Sequence, residues 1–61
     1  MSLTEREEEL AQLIIRGLNN REIADTLHIA EGTARNYISN LYSKLEVVDR
    51  AQAIVRLQAI M

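Results

Sequence analysis

Apolar side chains recur along this chain at i, i+3, i+4 intervals, the period of helices laid against a core. Arg21 to Leu27 carries Ile23, Ala24 and Leu27 on one face, and Glu31 to Leu45 carries Ala34, Ile38, Leu41 and Leu45, with Tyr37 beside them. The residues between, His28-Ile29-Ala30, form a tight turn with Ile29 as its inward-pointing apolar pin. A further helix precedes this pair, striped by Leu10, Leu13 and Ile14. Thr4 and Glu7 have capping-box spacing at its start, and Gly17 supplies its stop. Asn19 and Glu22 repeat the capping pattern for the second helix. Glu46 to Val48 is a short link, after which Asp49 caps a last helix, with Gln52 at its third position. The pattern therefore predicts an all-α, four-helix domain over residues 1–61.

The last helix differs from the others because it is apolar on more than one side. Ala53, Ile54, Leu57 and Met61 are expected to face the domain's own core, which turns Ala51, Val55, Gln58 and Ala59 outward. A helix apolar nearly all round is buried by something, and in a domain this small a second copy of the same helix is the natural cover. The plainer account is ordinary exposure of a few small apolar residues.

The third helix has the opposite character. Its free face is small and hydrogen-bonding: Thr33, Arg35, Asn36, Ser39, Asn40 and Ser43. Arg, Asn, Ser and Thr on one exposed helix face suit the edges of bases and the oxygens of phosphates. Two helices joined by a short turn, the second presenting such a face, outline a DNA-binding helix-turn-helix. The start of this helix is unusual. Ala30 is a poor cap, and Gly32 in the first turn costs about 1 kcal/mol of helix propensity relative to Ala. Gly32 is either simply tolerated there, or lets the backbone come close to a phosphate at the positive helix end.

Composition narrows the class without changing the fold. Sixty-one residues approach the size at which one apolar core is barely sufficient, and there is no cysteine to staple it or to hold a metal. His28 is the single imidazole, with no partner at metal-ligand spacing, so neither a metal site nor a cofactor is expected. No acid and base converge and no Gly-rich phosphate loop is present, which argues against an enzyme and leaves no catalytic residue to name. No apolar run approaches a membrane span, and a cytoplasmic location is expected. Met1-Ser2 reads as a start residue plus a cloning remnant.

Charge at first argues against a polyanionic partner, since the net charge is −2. Its distribution weakens the objection. Residues 1 to 15 hold Glu5, Glu7, Glu8 and Glu9 against Arg6, whereas residues 16 to 45 hold Arg16, Arg21, Arg35 and Lys44 against Glu22, Asp25 and Glu31. The acidity belongs to the first helix, where it suits the helix dipole. A reading face so weakly charged is expected to bind weakly as one copy, which again points to dimerisation.

With the elements in place, four ordered segments resemble the DNA-binding domain of the LuxR/NarL/FixJ family of bacterial transcription regulators. Leu3-Thr4-Glu5-Arg6-Glu7 is similar to the family's LTxRE opening, and Gly17 to Ala24 to its GxxNxEIA segment. Thr33 to Leu45 parallels the TVKxHxxxIxxKL recognition helix, and Asp49 to Ala53 fits the start of the fourth helix. The chain departs from the family at Ala34 for Val, Tyr37 for His, Ala30 for a capping Ser or Thr, and Ser39 for a frequent base. The resemblance implies that helix three lies in the major groove of double-stranded DNA and that helix four pairs two protomers. It further implies the C-terminal, effector part of a longer regulator, in the manner of a two-component response regulator. A receiver phosphorylated on Asp, or a ligand-binding domain, is expected upstream.

Side-chain chemistry and family position together assign roles. Arg35 is the expected base reader, because bidentate Arg on guanine is the commonest specific contact, with Asn36 and Ser39 on adjacent edges. Arg21, Gly32, Thr33, Asn40 and Lys44 are expected on the phosphate backbone. Ala51, Val55, Gln58 and Ala59 are the expected dimer face. A protein-interaction module using the same polar helix face is the alternative reading.

Overall fold

The computed structural model describes residues 2–60, and four helices follow in order: α1 (Glu5–Ile15), α2 (Asn20–Leu27), α3 (Glu31–Leu45) and α4 (Arg50–Ile60). The expected inward position of Met61 falls outside the described residues. Both anticipated capping boxes form. The Thr4 hydroxyl accepts from the Glu7 amide at 3.1 Å while Glu7 Oε1 accepts from the Thr4 amide at 2.8 Å. Asn19 and Glu22 make the same reciprocal pair at 2.9 and 2.8 Å. The start of α4 uses a variant: Asp49 accepts from the Gln52 amide at 2.9 Å, and the Gln52 side chain accepts from the Val48 amide at 3.2 Å. Each arrangement satisfies amides that the first helical turn leaves without a partner.

The helices end by one repeated device. An amide five positions along folds back onto a carbonyl of the last turn: Leu18 to Leu13 at 3.2 Å, Ile29 to Ala24 at 3.0 Å and Val47 to Tyr42 at 3.0 Å. The residue before each donor has positive φ, namely Gly17 at 91°, His28 at 59° and Glu46 at 58°. Each donor is apolar and packs on the core, so the closure both satisfies the carbonyl and turns the chain inward. Glycine makes this turn without strain, whereas His28 and Glu46 carry a Cβ into the left-handed region.

Thirteen apolar residues are buried among those described, and no polar or charged residue is. Leu10, Ala11, Leu13 and Ile14 come from α1, Ile23 and Ala24 from α2, Ala34, Ile38, Leu41 and Leu45 from α3, Val47 from the link, and Ala53 and Leu57 from α4. α3 packs most extensively on α2, α1 packs on α4, and α3 also touches α1 and α4. A helix at the junction of three others has one face committed and one free.

Two polar contacts fasten this arrangement across long sequence separations. Arg50, the first residue of α4, donates from Nη2 to the carbonyls of Ile14, at 3.0 Å, and Leu18. Its cation sits at the negative end of α1, where the helix dipole favours it. Lys44 near the end of α3 donates to Glu7 Oε1 at 2.8 Å, with both side chains partly buried. One carboxylate oxygen of Glu7 therefore closes the α1 cap and holds α3. The Lys44 hydrogen bond first, then the Thr4 amide, lower the Glu7 pKa below its ordinary 4.5.

A depressed carboxylate contributes stability that is present above its unfolded pKa and lost as pH falls through the folded value. Glu7→Gln is therefore expected to flatten the acid limb of stability, followed by urea unfolding from about pH 6 to about pH 3. An acid limb as steep as that of the wild type would remove Glu7 from this role. Relief of the left-handed strain is the second expectation: His28→Gly should stabilise the domain by about 0.5–1 kcal/mol, after the entropy glycine adds to the unfolded chain. Chemical denaturation measures this, and a loss of stability would show that the His28 side chain contributes more than its backbone strain.

Candidate nucleic-acid interface

The side of α3 opposite its buried stripe is open. Arg35, Asn36, Ser39, Asn40 and Ser43 are exposed and Thr33 is half-exposed, which gives a continuous polar strip about three turns long. The strip exists because Ala34, Ile38, Leu41 and Leu45 must face the core, and a 3.6-residue period then leaves the intervening residues outside. All three expected base-contacting residues, Arg35, Asn36 and Ser39, are brought together on it, as are Thr33 and Asn40.

The leading end of α3 is bare. Ala30 caps it with extended backbone, φ −69° and ψ 150°, and no side chain accepts from its first amides. Gly32 in this turn is not required by backbone conformation, for its φ is not positive and a Cβ there would meet only Arg35 Nη2 at 3.9 Å. Arg21, in the first turn of α2, joins Glu31 in lining one shallow concavity beside this end, together with Asn19, Asn20 and Arg50. Arg21 is exposed and makes no ion pair among the described residues.

The ammonium of Lys44, a residue expected on the phosphate backbone, is held by Glu7 against α1, and its charge is matched there. Glu7 lies 37 residues away, and no local spacing rule announces such a pair. Arg50, to which the sequence pattern assigns no role, is the clamp between α4 and the end of α1. Arg35 is also engaged, though loosely: Nη1 donates to Glu31 Oε2 at 3.1 Å, with both side chains about half exposed. An exposed i,i+4 pair contributes only about 0.3–0.5 kcal/mol, so it opens readily. Its Glu-to-Arg spacing was legible from the sequence.

The expected dimer face is exposed in full. Ala51, Val55, Gln58 and Ala59 all lie outward on α4, with Val55 69% accessible. Val47, Ala51, Gln52 and Val55 line a shallow groove edged by Glu46 and Arg56. Val48, just before α4, was not singled out in sequence and is 83% accessible. It extends the apolar exposure at this end of the domain. No group of His, Cys, Asp or Glu side chains able to hold a metal ion occurs among the described residues, and no helix among them is long and apolar enough to cross a membrane.

Known proteins share this sequence over most of its length. The transcriptional regulatory protein LnrK of Bacillus subtilis (strain 168) is 53% identical over 55 residues, covering 90% of this chain and 25% of LnrK. The transcriptional regulatory protein DesR of the same strain is 52% identical over 54 residues, 88% of this chain and 27% of DesR. The response regulator protein VraR of Staphylococcus aureus (strain Mu3 / ATCC 700698) is 51% identical over 53 residues, 87% of this chain and 25% of VraR. The chain thus spans about a quarter of the length of the curated relatives it matches. The family model described as bacterial regulatory proteins, luxR family, matches residues 1–57. The chain therefore belongs to the luxR family of bacterial regulatory proteins.

Proposed function

We propose that the domain reads double-stranded DNA as a homodimer, with α3 in the major groove and α4 pairing the two protomers. The observation that carries this reading is the division of α3 into a fully buried apolar stripe and an exposed strip of Thr33, Arg35, Asn36, Ser39 and Asn40. The major groove admits a helix and offers each base pair a distinct set of donors and acceptors. Arg35 takes guanine, and Asn36 and Ser39 reach neighbouring edges. Arg21, Thr33, Asn40 and the backbone at Gly32 hold phosphates, the last favoured by the bare positive end of α3.

Pairing through α4 answers two observations at once. Val55 exposes apolar surface that the protomer does not cover, flanked by Ala51, Gln58 and Ala59. The DNA-facing side has few free cations, since Lys44 and Arg50 are committed within the fold. Two weak readers joined by a small interface gain affinity that neither has alone. The domain is the effector part of a longer cytoplasmic response regulator in which an upstream receiver controls pairing. Support comes from the quarter-length match and from a relative named as a response regulator.

Two substitutions test these assignments. Arg35→Ala is expected to cost about 1–3 kcal/mol on a DNA fragment selected from random sequence and to relax the preference at one base position. An equal loss on selected and random DNA would overturn base reading by Arg35. Val55→Glu is expected to abolish cooperative binding to a probe with two half-sites about one helical turn apart, while the circular dichroism of the monomer is unchanged. Retained cooperativity would overturn the α4 dimer.

A further inference from the structure

Glu31 is out of place on a helix that approaches a polyanion. Acids in the first turns of α1 and α2 close capping boxes, Glu7 onto Thr4 and Glu22 onto Asn19. Glu31 does nothing of the kind, because α3 has no side-chain cap. It reaches forward instead, and its Oε2 accepts from Arg35 Nη1 at 3.1 Å. The other terminal nitrogen, Nη2, lies over the open flank of Gly32, 3.9 Å from where a Cβ would stand. The guanidinium is thus laid back along the first turn of α3, with a carboxylate on one edge and bare backbone beneath.

This posture treats two kinds of DNA contact unequally. A guanidinium has five donors in a fixed fork, so engaging one with Glu31 leaves donors for the O6 and N7 of guanine. The second carboxylate oxygen of Glu31 has no partner in the structure and can accept from the amino group of a cytosine. A phosphate offers no such arrangement, because its negative charge meets that of Glu31 within a few ångströms. From this geometry we infer that Glu31 is a specificity-determining residue: with Arg35 it reads a guanine and a neighbouring cytosine, and it turns Arg35 away from phosphates. The inference rests on the reading of DNA by α3 proposed above.

Equilibrium binding of the domain to a fragment selected from random sequence and to a scrambled duplex of equal length tests it, with Glu31→Gln, Arg35→Ala and the double variant alongside the wild type. Glu31 is exposed and its one side-chain hydrogen bond is to Arg35, so thermal melting is expected to show Glu31→Gln folded. Glu31→Gln should bind the scrambled duplex more tightly and lose about 5- to 150-fold of its discrimination at one G·C position. In the Arg35→Ala background the same change should cost less discrimination than it does in the wild type, because the two residues act together. Wild-type preference in Glu31→Gln, or equal weakening on both duplexes, would overturn the role of Glu31 alone. Failure of the wild type to bind either duplex would overturn the α3 reading and this inference together.

Discussion

Burial of four residues, Ala34, Ile38, Leu41 and Leu45, is the interaction on which the rest of this domain depends. They are the apolar stripe of α3, and the other three helices all contribute to covering them. Because helical periodicity ties the buried side to the exposed side, fixing this stripe also fixes which residues face outward. The polar strip needs no interaction of its own to be displayed. A rotation of α3 large enough to hide Arg35 or Asn36 would bring Ile38 or Leu41 into water, at about 25 cal/mol for each square ångström exposed. The polar strip is held by the core beneath it.

What the residues revealed in advance, and what they did not, divides along the range of the interactions. The capping pairs of Thr4 with Glu7 and Asn19 with Glu22, the bounds of α3 and its buried stripe all follow from neighbours within four positions, and all stand in the structure. The outward set on α4 followed from the same periodicity. The left-handed residues His28 and Glu46 were not legible, because positive φ is uncommon outside glycine even for His, which is enriched there, and Glu carries no such signal. Their conformation is imposed by Ile29 and Val47, which must turn back onto the core. Lys44 and Arg50 find their partners 30 or more residues away, and only the packed fold decides whether a surface cation meets one.

Those distant partners give the fold its economy of parts. With no buried polar residue among those described, the domain places its polar fastenings at the rim of the core, where carbonyls and carboxylates are already partly exposed. Glu7 joins two helices through a single oxygen, and Arg50 joins the end of α1 to the start of α4. Such contacts avoid the desolvation cost of a buried charge and tie together helices distant in sequence. In a chain of 61 residues this is a reasonable substitute for a larger core.

The internal engagement of Lys44 and Arg50 has a consequence beyond the strength of any one contact. Affinity for DNA of arbitrary sequence comes almost entirely from displacing condensed counterions, and it grows with the number of phosphates a protein neutralises. A domain that keeps two of its seven basic side chains for its own fold has fewer to offer phosphates. Competing sites number in the millions, and time lost on them delays arrival at the operator as surely as weak recognition does. Cations committed to holding the helices together would thus add little to any hold on sequences other than the target.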